Sequence, residues 1–358
     1  MSALWSFVVS VLQFAVNMIN GASVWMIFSF IVVGIVHEIF DAVKMRNSPV
    51  CSNRISGVLY STVSGLLIPI CSCGSVPLSI GLYYSGAYLG PTLAFLTSSP
   101  MINPISLILA YGLLGKEIAT IYLITGFLAP IIIGTTANRF AGPELHRPES
   151  GETEDAVQVM IEKPTLLKRL KNGFQWSFGE LAIMVSKYTV TGMLLASLLL
   201  SIVPQVFIQR YLGNPGFVSI FGILIIAVLM YVCAVGHMPF IAAIVASGAA
   251  PGVAITFLMA GAATNFSELI TINRTIGKRS MLMYVSMVVI ISIFVGYLTN
   301  QILPNFKPAL NYDVASQSIT TANRLLFSAP LWLKYICSAA MVCFAVIALV
   351  KSIRKKLA

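Results

Sequence analysis

Charged side chains are scarce in this sequence, at 9% of residues, while 58% are apolar and the mean hydropathy is +0.90. Such a balance excludes an ordinary water-soluble domain and makes lipid the solvent for most of the chain. The scarcity is also concentrated. No Asp, Glu, Lys or Arg occurs between Arg54 and Lys116, and none between Arg210 and Glu268. A membrane span takes about 20 apolar residues, so each gap holds roughly three spans and excludes a single hydrophobic anchor. The opening MSALWSFVVSVLQF has no basic stretch and no small-residue cleavage site, so residues 3–20 are expected to stay as an extra span or an interfacial helix. No Gly-x-x-x-x-Gly-Lys-Ser/Thr run is present, which excludes a P-loop ATPase as the driving unit. His37-Glu38 lacks a second His four residues on and is not a zinc-protease pattern.

The net charge of +10 does not point to nucleic acid, because the basic residues sit in loops with no aromatic-basic surface beside them. They read instead as topology. Lys44, Arg46 and Arg54 form one group, and residues 139–173 carry six more basic residues balanced by six acidic ones. Arg274, Lys278 and Arg279 form a third group, and Lys351, Arg354, Lys355 and Lys356 a fourth. The positive-inside rule places all four in the cytoplasm and leaves Lys116, Arg210 and the 307–324 stretch outside. The expected organisation is an N-terminal helix (1–21), a first membrane repeat (22–140), a cytoplasmic linker (141–175) and a second repeat (176–303). An external loop (304–329) and a last span with a basic tail (330–358) complete it.

The repeats rest on self-similarity at an offset of 162 residues. Cys71-Ser72-Cys73-Gly74-Ser75-Val76-Pro77 lies over Cys233-Ala234-Val235-Gly236-His237-Met238-Pro239. Ser85-Gly86-Ala87 lies over Ser247-Gly248-Ala249, Asn103 over Asn265, Gly115-Lys116 over Gly277-Lys278 and Tyr122 over Tyr284. Gly and Pro inside apolar runs interrupt helices and free backbone groups that lipid cannot satisfy. The expected interruptions are Gly74, Pro77 and Gly86 in the first copy and Gly236, Pro239 and Gly248 in the second, each set followed by a full-length helix. The charge groups make the two copies run in opposite directions. The fold class is therefore all-α, a polytopic membrane protein of about 8 to 10 transmembrane helices built from two inverted repeats with broken helices. Paired interruptions in two halves are the sequence pointer to a transporter's binding site.

Cys71 and Cys73 are the sharpest chemical feature, two soft thiols at an interruption that suit a thiophilic species, a soft metal ion included. The alternative is that they are small buried apolar groups, which is the reading for Cys51, Cys337 and Cys343. Cys233 sits at the symmetry position of Cys71, and His237, in place of Ser75, is either a satisfied structural group or a ligand or proton carrier. Asn103 and Asn265, each expected in a long helix, either bond neighbouring helices or line the solute path. Glu268 is either a proton-coupling group within a span or an interfacial carboxylate near Arg274. Lys187 is expected to snorkel, and Trp5, Trp25, Trp176 and Trp332 to anchor at the membrane surface.

The run from Cys71 to Leu78, followed by Ser85-Gly86-Ala87, Gly90 to Leu96 and Ser99 to Pro104, resembles the predicted bacterial permease family that includes the ArsP organoarsenical exporters and YraQ-like proteins. The resemblance covers residues 22–303. It implies a cytoplasmic-membrane permease and, for ArsP-like members, efflux of trivalent organoarsenicals through cysteine chemistry, with arsenical resistance as the outcome. The expected function is a secondary transporter, not an enzyme, with no cofactor. Its partners are the bilayer and a small-molecule or soft-ion solute, with a homo-oligomer left open. A membrane-embedded thiol oxidoreductase using Cys71 and Cys73 is the rival reading.

Overall fold

A computed structural model describes residues 2–39, 55–68, 72–84, 86–142, 145, 166–202, 217–229, 234–246, 249–304, 306 and 330–357. Among these residues every regular element is helical. Helix α1 (Ser2–Ile39) is one continuous element, so no boundary falls at residue 21. With no Pro and no charge before Glu38, nothing interrupts its backbone bonds, and a stretch in lipid keeps every bond it can.

Five pieces follow: α2 (Ile55–Leu67), α3 (Ser72–Tyr84), α4 (Leu89–Met101), α5 (Pro104–Leu113) and α6 (Lys116–Phe140). Helix α7 (Leu166–Trp176), within the expected linker, passes through a π-helical turn at Ser177–Leu181 into α8 (Ala182–Ile202). A second set of five comes next: α9 (Phe217–Leu229), α10 (Ala234–Ala246), α11 (Pro251–Ala263), α12 (Phe266–Thr275) and α13 (Lys278–Ile302). Helix α14 (Leu331–Leu357) closes the chain. Every start and end in the second set lies 162 residues after its counterpart in the first, the offset of the sequence match. The contacts between the sets are reciprocal as well. Helix α3 packs on α12 and α10 on α5, while α4 meets α11 and α6 meets α13.

Four helices among the described residues are long and apolar enough to cross a membrane, α1, α6, α13 and α14. The count rises to six if the bent pairs α4–α5 and α11–α12 each make one span, fewer than the 8 to 10 expected. Two further apolar pieces, α2 and Ser219–Val228 within α9, are shorter than a crossing requires.

Four of the expected interruptions are corrected. Helix α3 runs through Gly74 and Pro77, and α10 runs through Gly236 and Pro239. Pro77 sits near the start of α3 and forfeits one backbone bond, which the packed helix absorbs. The end of α3 falls at Gly86, whose φ of 96° suits a residue without Cβ. There Ala87 N–H bonds Leu82 C=O and Gly86 N–H bonds Tyr83 C=O, a pair that closes a helix by returning its last carbonyls. The equivalent bond from Ala249 N–H to Ile244 C=O ends α10. Gly248 lies outside the described residues.

Candidate functional site

Helices α4 and α11 are the centre of the molecule, since all of their residues are buried. Each is clamped at both ends by the long helix of its own half. The first N–H groups of a helix lack internal partners, and neither Tyr88 nor Ala250 supplies a side-chain cap. The caps come from elsewhere: Asn138 Oδ1 accepts Gly90 N–H at 2.7 Å, and Asn300 Oδ1 accepts Gly252 N–H at 2.7 Å. At the other end, the Tyr122 hydroxyl donates to Met101 C=O, and the Tyr284 hydroxyl donates to Ala263 C=O at 2.6 Å. Close approach requires small residues. A Cβ on Gly134 would lie 2.8 Å from the Gly90 carbonyl oxygen, and one on Gly252 would lie 2.0 Å from that of Gly296.

Beyond these clamps the helices break. The pair α4–α5 bends by 41° and α11–α12 by 43°. Asn103 and Asn265 are therefore not within long helices, as expected from sequence, but at the two bends, in extended backbone. In the first half Pro104 takes the opening position of α5 and biases Asn103 away from helical geometry. The Asn103 side chain accepts Ser106 N–H at 2.8 Å and Ser106 Oγ accepts Asn103 N–H at 3.1 Å, a complete capping box. In the second half Asn265 makes no side-chain cap bond, and the position of Ser106 is held by Glu268. The Asn265 backbone N–H bonds the Glu268 carboxyl, so Glu268 keeps one half of the box.

Glu268 is 2% exposed and so lies inside the protein. Tyr284 Oη lies 3.2 Å from its Oε1, and Oε2 is buried without a hydrogen-bond partner. Thr97, one turn before the end of α4, lies beside the same Tyr284 hydroxyl, and its own Oγ1 donates to Leu93 C=O at 2.6 Å. The last turn of α4 and the α11–α12 bend thus meet at Tyr284. Of the other expected site residues, Ser75 is buried in the first turn of α3, and His237 is half-buried in the first turn of α10 with its ring 6.2 Å from that of Phe257. The Cys73 backbone begins α3, while Cys71 and Cys233 lie outside the described residues. Among the described residues no three His, Cys, Asp or Glu side chains cluster to hold a metal ion. Lys187 Nζ rests 5.5 Å above the Tyr188 ring, and Trp5 and Trp332 are exposed.

Sequence reasoning matched Tyr122 with Tyr284 but gave them no role, and it missed Asn138, Asn300 and Thr97. Asn138 and Asn300 stand 162 residues apart, as do Gly134 and Gly296, so extending the same register to the end of the long helices finds them.

Several apolar helices around a polar, doubly broken centre define a multi-pass membrane protein of the permease class. Residues 8–301 match the family ArsP_1, described as predicted permease, and the chain belongs to that family. It is 26% identical to UPF0718 protein MJ0584 of Methanocaldococcus jannaschii, over 70% of this chain and 84% of that one. UPF0718 protein YcgR of Bacillus subtilis is 25% identical over 73% of this chain and 89% of its own, and UPF0718 protein YraQ of Escherichia coli 22% over 68% of each. No solved structure matches the chain. Membership points to a transporter rather than an enzyme, and nothing in it supports a thiol oxidoreductase.

Proposed function

We propose that the protein is a secondary transporter of the bacterial cytoplasmic membrane. It exports a small thiophilic solute, such as a trivalent organoarsenical or a soft metal species, along a route between two inverted halves. The observation that carries this reading is the pair of broken helices, α4–α5 and α11–α12, whose buried first members α4 and α11 pack on each other at the centre of the molecule. Broken helices leave backbone donors and acceptors at membrane depth, where they serve a solute or ion.

Inversion is supported by one bond. The Arg279 guanidinium at the start of α13 donates to Phe140 C=O at the end of α6, at 2.9 Å. The corresponding spans α6 and α13 then begin at opposite membrane faces. The shared face carries Arg139, Lys278 and Arg279 and is cytoplasmic by the positive-inside rule. The end of α6 and the start of α13 lie on that side, and the end of α13 lies opposite.

Cys71, Cys73 and Cys233 supply the soft ligands, with Ser75, His237, Asn103 and Asn265 lining the path, and Glu268 with His237 coupling transport to protons. The α3 and α12 contact favours this assignment, because it sets the Cys73 helix beside the Glu268 helix. A resistance panel in a sensitive strain tests it, comparing methylarsenite, phenylarsenite and soft metal salts. Wild type is expected to raise tolerance to at least one of them, and Cys71→Ser and Cys73→Ser to abolish that gain at equal expression. Unchanged tolerance in both variants would falsify the cysteine assignment.

A further inference from the structure

The two bends share one architecture and differ at one ionisable position, Ser106 in the first and Glu268 in the second. The proton count at Tyr284 gives that difference a consequence. Its hydroxyl holds a single hydrogen yet faces two acceptors, Ala263 C=O at 2.6 Å and Glu268 Oε1 at 3.2 Å. Ala263 closes α11, where a helix carbonyl has no backbone donor of its own.

We propose that Glu268 and Tyr284 form a proton-operated latch on the α11–α12 bend. With a proton on Glu268, its O–H donates to Tyr284 Oη, and the Tyr284 hydroxyl donates onward to Ala263 C=O. The end of α11 is then tied to α13. When Glu268 releases that proton to water in the solute path, the Tyr284 hydroxyl turns to the carboxylate and Ala263 C=O loses its donor. The bend is freed in the ionised form and fastened in the protonated one. Both forms find partners in the surrounding structure. The ionised carboxylate keeps Asn265 N–H and the N-terminal end of α12, and the protonated one keeps Tyr284 as acceptor. At the equivalent place in the first half the Tyr122 hydroxyl donates to Met101 C=O, and the position of Glu268 is held by Ser106, which carries no ionisable group.

Among the described residues no other charged group acts on Glu268. Helices α3, α8 and α13 pack on α12. Helix α3 carries no charged residue, and its Tyr83 and Tyr84 rings pack on each other and on Trp176. Lys187 of α8 rests over Tyr188, and Lys278 and Arg279 of α13 are exposed, as is Arg274 on α12 itself. The proton of the fastened form sits on Oε1, the oxygen 3.2 Å from Tyr284 Oη, while Oε2 is buried without a hydrogen-bond partner. The coupling of this latch to transport rests on the permease reading above, but the latch itself is read without a solute.

The test is hydrogen–deuterium exchange of the 260–270 segment in the full-length protein in nanodiscs across pH, corrected for intrinsic rates, with infrared titration of the carboxyl band. Wild type should show a protonated-carboxyl band, absent in Glu268→Gln, whose loss on raising pH coincides with roughly two- to tenfold faster exchange, the worth of one hydrogen bond. Glu268→Gln keeps a donor toward Tyr284 and should stay protected at every pH. Tyr284→Phe should leave the carboxyl titrating while exchange stays fast and pH-independent. Equal pH dependence of exchange in wild type and both variants overturns the latch, as does a band unaffected by Glu268→Gln. A folded protein that shows the latch but carries no methylarsenite keeps this inference and removes the solute assignment. One that carries methylarsenite with no pH-dependent change at the bend does the reverse.

Discussion

Asn138 and Asn300 do for a neighbouring helix what a capping residue does for its own. Each accepts a backbone N–H that the buried start of α4 or α11 cannot pair internally. Losing a cap costs about 1 kcal/mol, so Asn138→Ala and Asn300→Ala are each expected to lower the thermal unfolding midpoint in detergent by a few degrees. An unchanged midpoint in both would show the caps to be idle. Tyr122→Phe should cost a similar amount, about 1 kcal/mol for one hydrogen bond to a freed carbonyl, and leave any pH dependence of transport intact. These residues were only half legible in sequence. A buried Asn or Tyr announces that it needs a partner, but which backbone group it serves depends on helices that meet only in the folded chain. Glu268 was visible as an ionisable group in an apolar run, whereas its burial was not, because Arg274 six residues on argued equally for the membrane surface.

At the scale of the element, the close pairs are α4 with α6 and α11 with α13, and in lipid such contacts depend on small residues that let backbones approach. A Cβ on Gly296 would stand 2.0 Å from Thr256 Oγ1, and one on Gly252 2.0 Å from the Gly296 carbonyl oxygen. Gly252→Ala and Gly296→Ala are expected to cost about 1–3 kcal/mol or more as the helices are pushed apart, and to reduce the monodisperse fraction on size-exclusion chromatography. Gly222→Ala meets nothing within 4 Å and should be neutral or slightly stabilising by the same measure. The repeat itself was legible, because Cys, Gly, Pro and Asn in register are hard to obtain by chance in apolar sequence. The location of the bends was misjudged. Pro77 and Pro239 look like helix breakers, yet both are carried within helices. The bend at Thr264–Asn265 has no proline at all, and it follows a run of Ala and Gly that reads as continuous helix.

At the scale of the whole molecule, inversion makes a sharp demand on two matched lysines. Lys116 and Lys278 are both exposed at the start of 25-residue spans, 162 residues apart. In an inverted pair they face opposite sides of the membrane. Lys116→Cys should react with an impermeant maleimide from outside intact cells, and Lys278→Cys only in everted vesicles. Labelling from the same side would make the halves parallel and remove the pseudo-twofold route. Topology is the level that charge placement addresses without packing detail, and this labelling is its test. The number of crossings was the least legible, since short pieces such as α2 and α9 have the composition of a span without its length.

The account turns on the two bends meeting in one polar site that the solute reaches. Asn103→Cys and Asn265→Cys, each in a background lacking Cys71, Cys73 and Cys233, measure this directly by reaction with a small hydrophilic thiol reagent. The account predicts that both positions react from the aqueous phase, and that each variant is protected by methylarsenite when the native cysteines are restored. Two positions inert to the reagent in folded protein, or reactive only to a lipid-soluble one, would contradict it.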